Sequence, residues 1–234
     1  MALSGSTDFS LNRDELIKAI LRLVGAQNFT ARSIEYTEAS VALNMLARQW
    51  AAEGVGVWKL TEVTLTLDTS SESYTLGPNS TDTTSPTPIA RPLEIEEIRR
   101  VDSDGVEYPV NLIGYDEYMN YPEKDETGSV IQACYRKQRT DGTLYIWPVS
   151  DTAEYLKFTA KMPFDDFDAS TDDADFPPEC YRAVKYNVAA DLADEKRYNV
   201  SMEDRAWLSR KAEESKYALE GFDTETGSLY HEVS

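Results

Sequence analysis

Tyr155-Leu-Lys-Phe-Thr-Ala-Lys-Met162 is the stretch on which the fold turns. Leu156, Phe158, Ala160 and Met162 alternate with Tyr155, Lys157, Thr159 and Lys161, the period of a half-buried strand. Beyond it lie an acidic run, Asp165 to Asp175, and Pro177-Pro178, which suits a first helical turn. The apolar period then changes: Tyr181, Val184, Val188 and Leu192 recur at helical spacing, as do Leu208, Ala212, Ser215 and Leu219. Helices are therefore expected over 178–197 and 201–220.

Upstream, the same alternation is visible in Val63, Leu65 and Leu67, and Tyr74-Thr-Leu76 reads as its hairpin return. Residues 79–88 are rich in Ser, Thr and Pro and read as an exposed loop. Leu93 and Ile95 begin another strand, and Asp104-Gly105 marks the turn into 106–113. Asp141-Gly142 is a hairpin signal between 133–139 and 144–149. Residues 115–121 form a short helical segment, with Tyr115, Tyr118 and Tyr121 at helical spacing. These aromatics suit core or interface packing better than a sugar platform.

The N-terminal part is helical again. Leu16, Ile17, Ile20, Leu21 and Val24 share one face of a helix over 11–24, started by Ser10 or Asn12 and ended by Gly25. Ala39, Leu43, Leu46 and Trp50 form the stripe of a second helix, ended by Gly54. Each helix has a single apolar stripe that must be buried on another element. The expected fold is α+β: a helical bundle from the N- and C-terminal helix pairs, a β-rich insertion and an extended C-terminal tail. The corresponding boundaries are 1–57, 58–164, 165–222 and 223–234.

Charge separates the middle from its flanks. The chain of 234 residues has a net charge of −19. Residues 62–126 hold fifteen acids against four bases, whereas residues 1–61 balance six against six. Such a chain repels phosphates and cannot gain the counterion release that drives ordinary DNA affinity. The start, MALSGSTDFS, lacks the basic and apolar regions of a signal peptide, and no apolar run has the length of a membrane span. The sequons at Asn28, Asn79 and Asn199 therefore carry little weight.

Chemistry is sparse. The single histidine, His231, lies in the tail, where it cannot serve as an oriented general base, and this removes Ser-His and Cys-His schemes. Cys134 and Cys180 form no metal-binding spacing and read as buried thiols. Gly54-Val-Gly56 lacks the length and lysine of a phosphate loop. The acidic run lacks the central glycine and terminal glutamate of a calcium loop, and reads as a solvated linker. No catalytic residue, metal or cofactor is expected, and the organisation points to a part of an assembly. Two alternatives are a cell-wall glycan hydrolase using a carboxylate pair and a β-rich carbohydrate-binding module.

An ordered string of segments gives a more specific indication. It runs from Leu46-Ala-Arg-Gln-Trp-Ala-Ala-Glu-Gly54 through Val57-Trp-Lys-Leu60 and Arg91-Pro-Leu-Glu-Ile95 to Tyr108-Pro-Val-Asn-Leu-Ile-Gly-Tyr-Asp-Glu-Tyr118. Cys134-Tyr-Arg-Lys-Gln138, Leu144-Tyr-Ile-Trp-Pro148 and Phe176-Pro-Pro-Glu-Cys-Tyr-Arg-Ala-Val-Lys-Tyr-Asn-Val-Ala-Ala-Asp-Leu-Ala193 follow. This string resembles the head-to-tail adaptor family of short-tailed phages, also called tail accessory or packaged-DNA stabilisation proteins. The resemblance implies a homo-oligomeric ring, usually twelvefold, at the head–tail junction of the virion, assembled in the host cytoplasm. Its implied partners are the portal protein, the tail nozzle and genomic duplex DNA that passes without tight binding; a membrane is not among them. It also implies that the C-terminal segment docks on the portal, with Phe222, Leu229, Tyr230 and Val233 as the apolar groups available for that contact.

Overall fold

A computed structural model describes residues 10–25, 33–53, 55, 58–86, 88–169, 171–173, 177–195 and 198–222. The chain divides into two compact units, Met1–Val57 with Phe164–Ser234, and Trp58–Pro163.

The second unit is built on one sheet. Its strands are β1 (Trp58–Thr66), β2 (Ser73–Leu76), β3 (Thr83–Ser85), β4 (Glu94–Val101), β5 (Glu107–Leu112), β6 (Gln132–Lys137), β7 (Gly142–Trp147) and β8 (Tyr155–Pro163), with the short helix α3 (Tyr115–Met119) between β5 and β6. They form an eight-stranded sheet in the order β2-β7-β6-β5-β4-β8-β1-β3. All pairs are antiparallel except β5 with β6. The two edge strands, β2 and β3, are consecutive in the chain and joined by residues 77–82. A flat sheet of this width would separate its edges by ~34 Å at the usual strand spacing. Seven Cα steps, from Leu76 to Thr83, span at most ~25 Å. The sheet must therefore curl, and it does so into a nearly closed barrel. Asp82 helps to close the gap by accepting the Thr75 N–H at 2.6 Å, and Ser80 by donating to the Thr75 carbonyl at 2.5 Å.

This architecture corrects the expected fold class. The protein is a mixed α/β chain with five helices among the described residues, not a helical bundle carrying a β-rich insertion. The physical reason is that the alternating strands complete a core of their own. Val63, Leu65, Leu76, Leu144, Ile146, Leu156, Phe158 and Ala160 are all buried in it, so the sheet needs no bundle to cover it. The hairpin of 63–67 with 74–76 is also corrected. Both edges of β1 are taken, by β8 and β3, and β2 pairs with β7 instead. The expected loop over 79–88 contains β3, with Thr83 buried.

The Asp104-Gly105 turn follows the sequence chemistry closely, whereas the glycine of Asp141-Gly142 answers to a side-chain contact. Gly105 adopts a φ of 80°, while Asp102 Oδ1 accepts the N–H groups of Asp104 and Val106. At Gly142, where β7 begins, the Tyr135 ring occupies the space that a Cβ would need. Tyr135 is held there by donating to the Pro92 carbonyl at 2.8 Å, and burial pushes its phenol up to about 12.

The first unit contains α1 (Arg13–Leu23), α2 (Ser33–Glu53), α4 (Cys180–Asp194) and α5 (Met202–Phe222). Asn12 caps α1 in a reciprocal box with Glu15: Asn12 Oδ1 accepts the Glu15 N–H, and Glu15 Oε2 accepts the Asn12 N–H. Ser201 opens α5 by accepting the Asp204 N–H at 3.0 Å. The apolar stripes meet in one core of Leu16, Ile17, Ile20, Leu43, Trp50, Val188, Leu192 and Leu208. At its edge, the half-buried Asn187 amide donates to the carbonyls of Ala183 and Ala212, so that α4 and α5 share a polar tie.

Candidate functional site

The acidic run was expected to be a solvated linker; Asp165, Asp166, Asp168 and Asp173 are exposed, but the described part of the segment is docked on the helices. Arg48 on α2 donates from Nε and Nη2 to Asp166 at 3.2 and 2.7 Å. Asn44 accepts the Phe167 N–H, and the Phe167 ring is buried among the helices. Asp172 accepts the N–H groups of Asp168 and Ala169, and its own carbonyl accepts the Arg13 N–H. Arg13 also donates to the Asp168 carbonyl at 3.0 Å. The carboxylates thus serve local backbone turns and one ion pair. Among the described residues there is no group of three or more His, Cys, Asp or Glu arranged to hold a metal ion.

On the polar face of the sheet the acids are interleaved with bases. Glu107 accepts from Arg99 at 3.3 Å and Lys157 at 3.4 Å, and these donors hold its carboxyl below the ordinary range. Arg99 also reaches Glu97 at 3.2 Å. Lys161 sits between Glu94 and Glu96, at 3.3 and 3.0 Å, where β4 carries a register irregularity, and its ammonium is held above the usual lysine range by these acids, Glu96 foremost. Deeper, Arg100 pairs with Glu154 at 2.5 Å, with side-chain exposures of 13% and 5%. Its guanidinium also lies over the Tyr108 ring at 4.5 Å.

The expected aromatic group assembles on β7. Tyr121 stacks on Trp147 with centroids 4.6 Å apart, and Tyr118 and Tyr115 lie 5.0 and 5.7 Å from Tyr145. Arg136 covers Tyr115 at 4.4 Å, and Trp147 Nε1 donates to the Glu123 carbonyl. Burial raises the Tyr118 phenol to about 12. These rings are packed against one another, which favours a structural role over a sugar platform.

Two surfaces of the helical unit were not anticipated. On α2, Ile34, Val41 and Met45 are 51, 52 and 66% exposed. With exposed Ala52 they fall within ~20° of one line along the helix, opposite the buried Ala39, Leu43, Leu46 and Trp50. The same helical spacing is present in the sequence, on the face opposite the inward stripe. The second surface is a groove of about 380 Å³ between α4 and α5, lined by Glu179, Arg182, Lys211, Glu214, Ala218 and Leu219, among others. Of the residues expected to bind the portal, Phe222 is the last residue of α5. Leu229, Tyr230 and Val233 lie outside the described residues.

The geometry is that of surfaces and docked segments, and comparison with known families agrees. The family model described as SU10 adaptor protein matches residues 11–225, nearly the whole chain. The chain belongs to the SU10 adaptor protein family. It is thus a structural phage adaptor and a component of the virion. No curated protein matches it. Among the described residues, no helix is long and apolar enough to cross a membrane.

Proposed function

We propose that this adaptor forms a closed ring, twelvefold by resemblance, beneath the portal of a short-tailed phage. It extends the DNA channel, helps to retain the packaged genome and presents a platform for the tail nozzle. The observation that carries this reading is the adaptor-family match over residues 11–225. A net charge of −19 supports the conduit, since an acidic wall lets DNA slide without adhering. The acids of 62–126 and of the 165–175 run are the groups proposed for that wall, although several already serve ion pairs on the sheet.

Rings arise from heterologous side-to-side contacts. The second apolar line on α2 supports such a contact, because a helix that is apolar on two faces is covered on both. Segment 223–234 anchors the ring to the portal, with Leu229 and Tyr230 entering apolar pockets and Phe222 and Val233 beside them. No catalytic residue is assigned, because the family is structural. Mass measurement of the protein with and without portal rings tests the reading. A ring-sized complex appearing only with portal is expected, and a one-to-one complex with a lone portal subunit would overturn it. The isolated protein should also bind duplex DNA weakly at physiological salt. Truncation after Phe222, and the Leu229→Ala/Tyr230→Ala pair, should each reduce portal attachment.

A further inference from the structure

β2 and β3 stand at the two ends of the sheet order, so each has one edge without a strand partner. In a strand the backbone groups of successive residues turn to opposite edges. Ile146 donates to the Glu72 carbonyl, so residues 72, 74 and 76 turn toward β7, and residues 73 and 75 toward the open side. On that side both backbone groups of Thr75 are capped by side chains of the segment that follows. Its N–H donates to Asp82 Oδ2 at 2.6 Å, and its carbonyl accepts from Ser80 Oγ at 2.5 Å. Ser80 Oγ also accepts the Asp82 N–H at 3.1 Å, and Ser80 itself is buried. The segment is pinned at its start as well. Asn79 donates its backbone N–H and its side-chain amide to the two oxygens of Asp141, at 3.1 and 3.0 Å. Gly77 lies so close to Asp141 that a Cβ there would strike its carboxylate.

We infer that Ser80 and Asp82 guard the edge of β2 against strand addition by a second copy of this chain. An open strand edge is a template for pairing with another chain, and proteins blunt it. Here the blunting works by imitation. Two side chains, two residues apart, supply the donor and the acceptor that the backbone of a neighbouring strand would supply, and the acceptor is a carboxylate, which binds an N–H more strongly than a carbonyl does. The excluded partner follows from the same geometry. Two copies of β2 related by a twofold axis pair antiparallel, with Thr75 opposite Thr75 and Ser73 opposite Gly77. Each Thr75 then exchanges N–H and C=O with its twin, through the two groups that Ser80 and Asp82 now hold. The Thr75 side chain is exposed and leaves the approach open. Such a pair is isologous and closes at two copies, so it withdraws subunits from any other assembly. The inference concerns the free chain and does not depend on the ring.

The test uses the full chain with one cysteine at the centre of the excluded pairing. Thr75→Cys leaves the backbone groups, and therefore both caps, in place. Cys134 and Cys180 are buried, which keeps them out of mild oxidation. In a hydrogen-bonded antiparallel pair the two Cα atoms stand ~5.5 Å apart, within the span of a disulfide. Asp82→Ala/Thr75→Cys should therefore form a disulfide between copies at least tenfold faster than Thr75→Cys alone. Asp82→Ala/Thr66→Cys is the control and should stay slow, since Thr66 is exposed on β1, whose edges are taken by β8 and β3. Asp82→Asn keeps an oxygen acceptor for the Thr75 N–H and loses the charge, so with Thr75→Cys it should be as slow as the chain with Asp82. Equal rates with and without Asp82 would overturn the inference. Equal rates at residues 75 and 66 would do the same, because they mark random collision. If Asp82→Asn is as fast as Asp82→Ala, charge repulsion keeps copies apart and the capping role fails. Urea midpoints establish that each variant is folded. Should Asp82→Ala unfold, Ser80→Ala/Thr75→Cys, which removes the carbonyl cap, takes its place: a faster disulfide supports the guard, and an unchanged rate overturns it.

Discussion

Arg48 grips a single carboxylate oxygen of Asp166 with two guanidinium nitrogens, at 3.2 and 2.7 Å, and so fixes the acidic run to α2. The pair is half exposed, at 49 and 46% of the two side chains. Its Coulomb energy is therefore screened. The neighbouring Phe167 is buried in the helical core. Removing that ring forfeits transfer energy and leaves a cavity.

Phe167→Ala should accordingly lower stability by ~3 kcal/mol, the range of a buried aromatic truncation. Arg48→Ala should cost less than ~1 kcal/mol. Urea unfolding midpoints of the two variants decide the point. Equal losses would mean that the ion pair holds the segment as strongly as the ring does.

The glycines at the two hairpins should respond differently. Gly142→Ala drives a methyl group into the Tyr135 ring and should cost ~1–3 kcal/mol through overpacking. Gly105→Ala meets no atom, but it must hold a φ of 80°, at a cost of ~1 kcal/mol. Pairing each substitution with Tyr135→Ala separates the causes. The ring deletion should relieve the loss at Gly142 and leave the loss at Gly105 unchanged.

Acid should weaken the fold through carboxyls whose folded pKa is depressed. Glu107, held down first by Arg99 and then by Lys157, is one; Glu53, held by Lys216 and Gln49, and Glu214, held by Lys211, are others. Asp102 is held down mainly by the backbone N–H of Val106. A depressed folded pKa adds stability that is present above the unfolded value and is lost as pH falls through the folded one. The urea midpoint should therefore be steady near neutrality and decline below ~pH 5. Asp102→Asn retains an oxygen acceptor for the turn but loses the charge, so its acid limb should be shallower. An unchanged slope would remove Asp102 from the acid response.

The secondary-structure pattern was legible where it was local. The stripes Leu16/Ile17/Ile20/Leu21, Ala39/Leu43/Leu46/Trp50 and Tyr181/Val184/Val188/Leu192 are the buried faces of their helices. Asp104-Gly105 turns where its backbone chemistry requires, at a φ of 80°, whereas Gly142 is the first residue of β7 and leaves room for the Tyr135 ring. Partner choice was not local. Tyr74 and Leu76 alternate as any strand does, and nothing in them names β7 rather than β1. Barrel closure depends on which strand pairs with which, so local alternation points to a bundle with an insertion and does not show the barrel. The docking of the acidic run hinged on one apolar residue, Phe167, among six acids. The function was legible only through the ordered resemblance, because no side-chain constellation encodes an adaptor.

The outward line on α2 permits the sharpest test of assembly. From Ile34 to Ala52 is eighteen residue steps, ~27 Å of helix. With a helix width of ~10 Å this offers ~270 Å², well short of the ~800 Å² per partner of a stable pair. The free protein should therefore remain monomeric, and neighbours should associate only when a template holds them together. Val41→Ser/Met45→Ser removes the centre of the line without touching the buried stripe, so stability should change by no more than ~0.5 kcal/mol per site. On portal rings the same variant should bind fewer copies and lose the cooperative filling of the ring, as read by mass measurement across a titration. Full, cooperative occupancy by a normally folded variant would show that neighbouring subunits meet elsewhere, and α2 would lose its place in the contact.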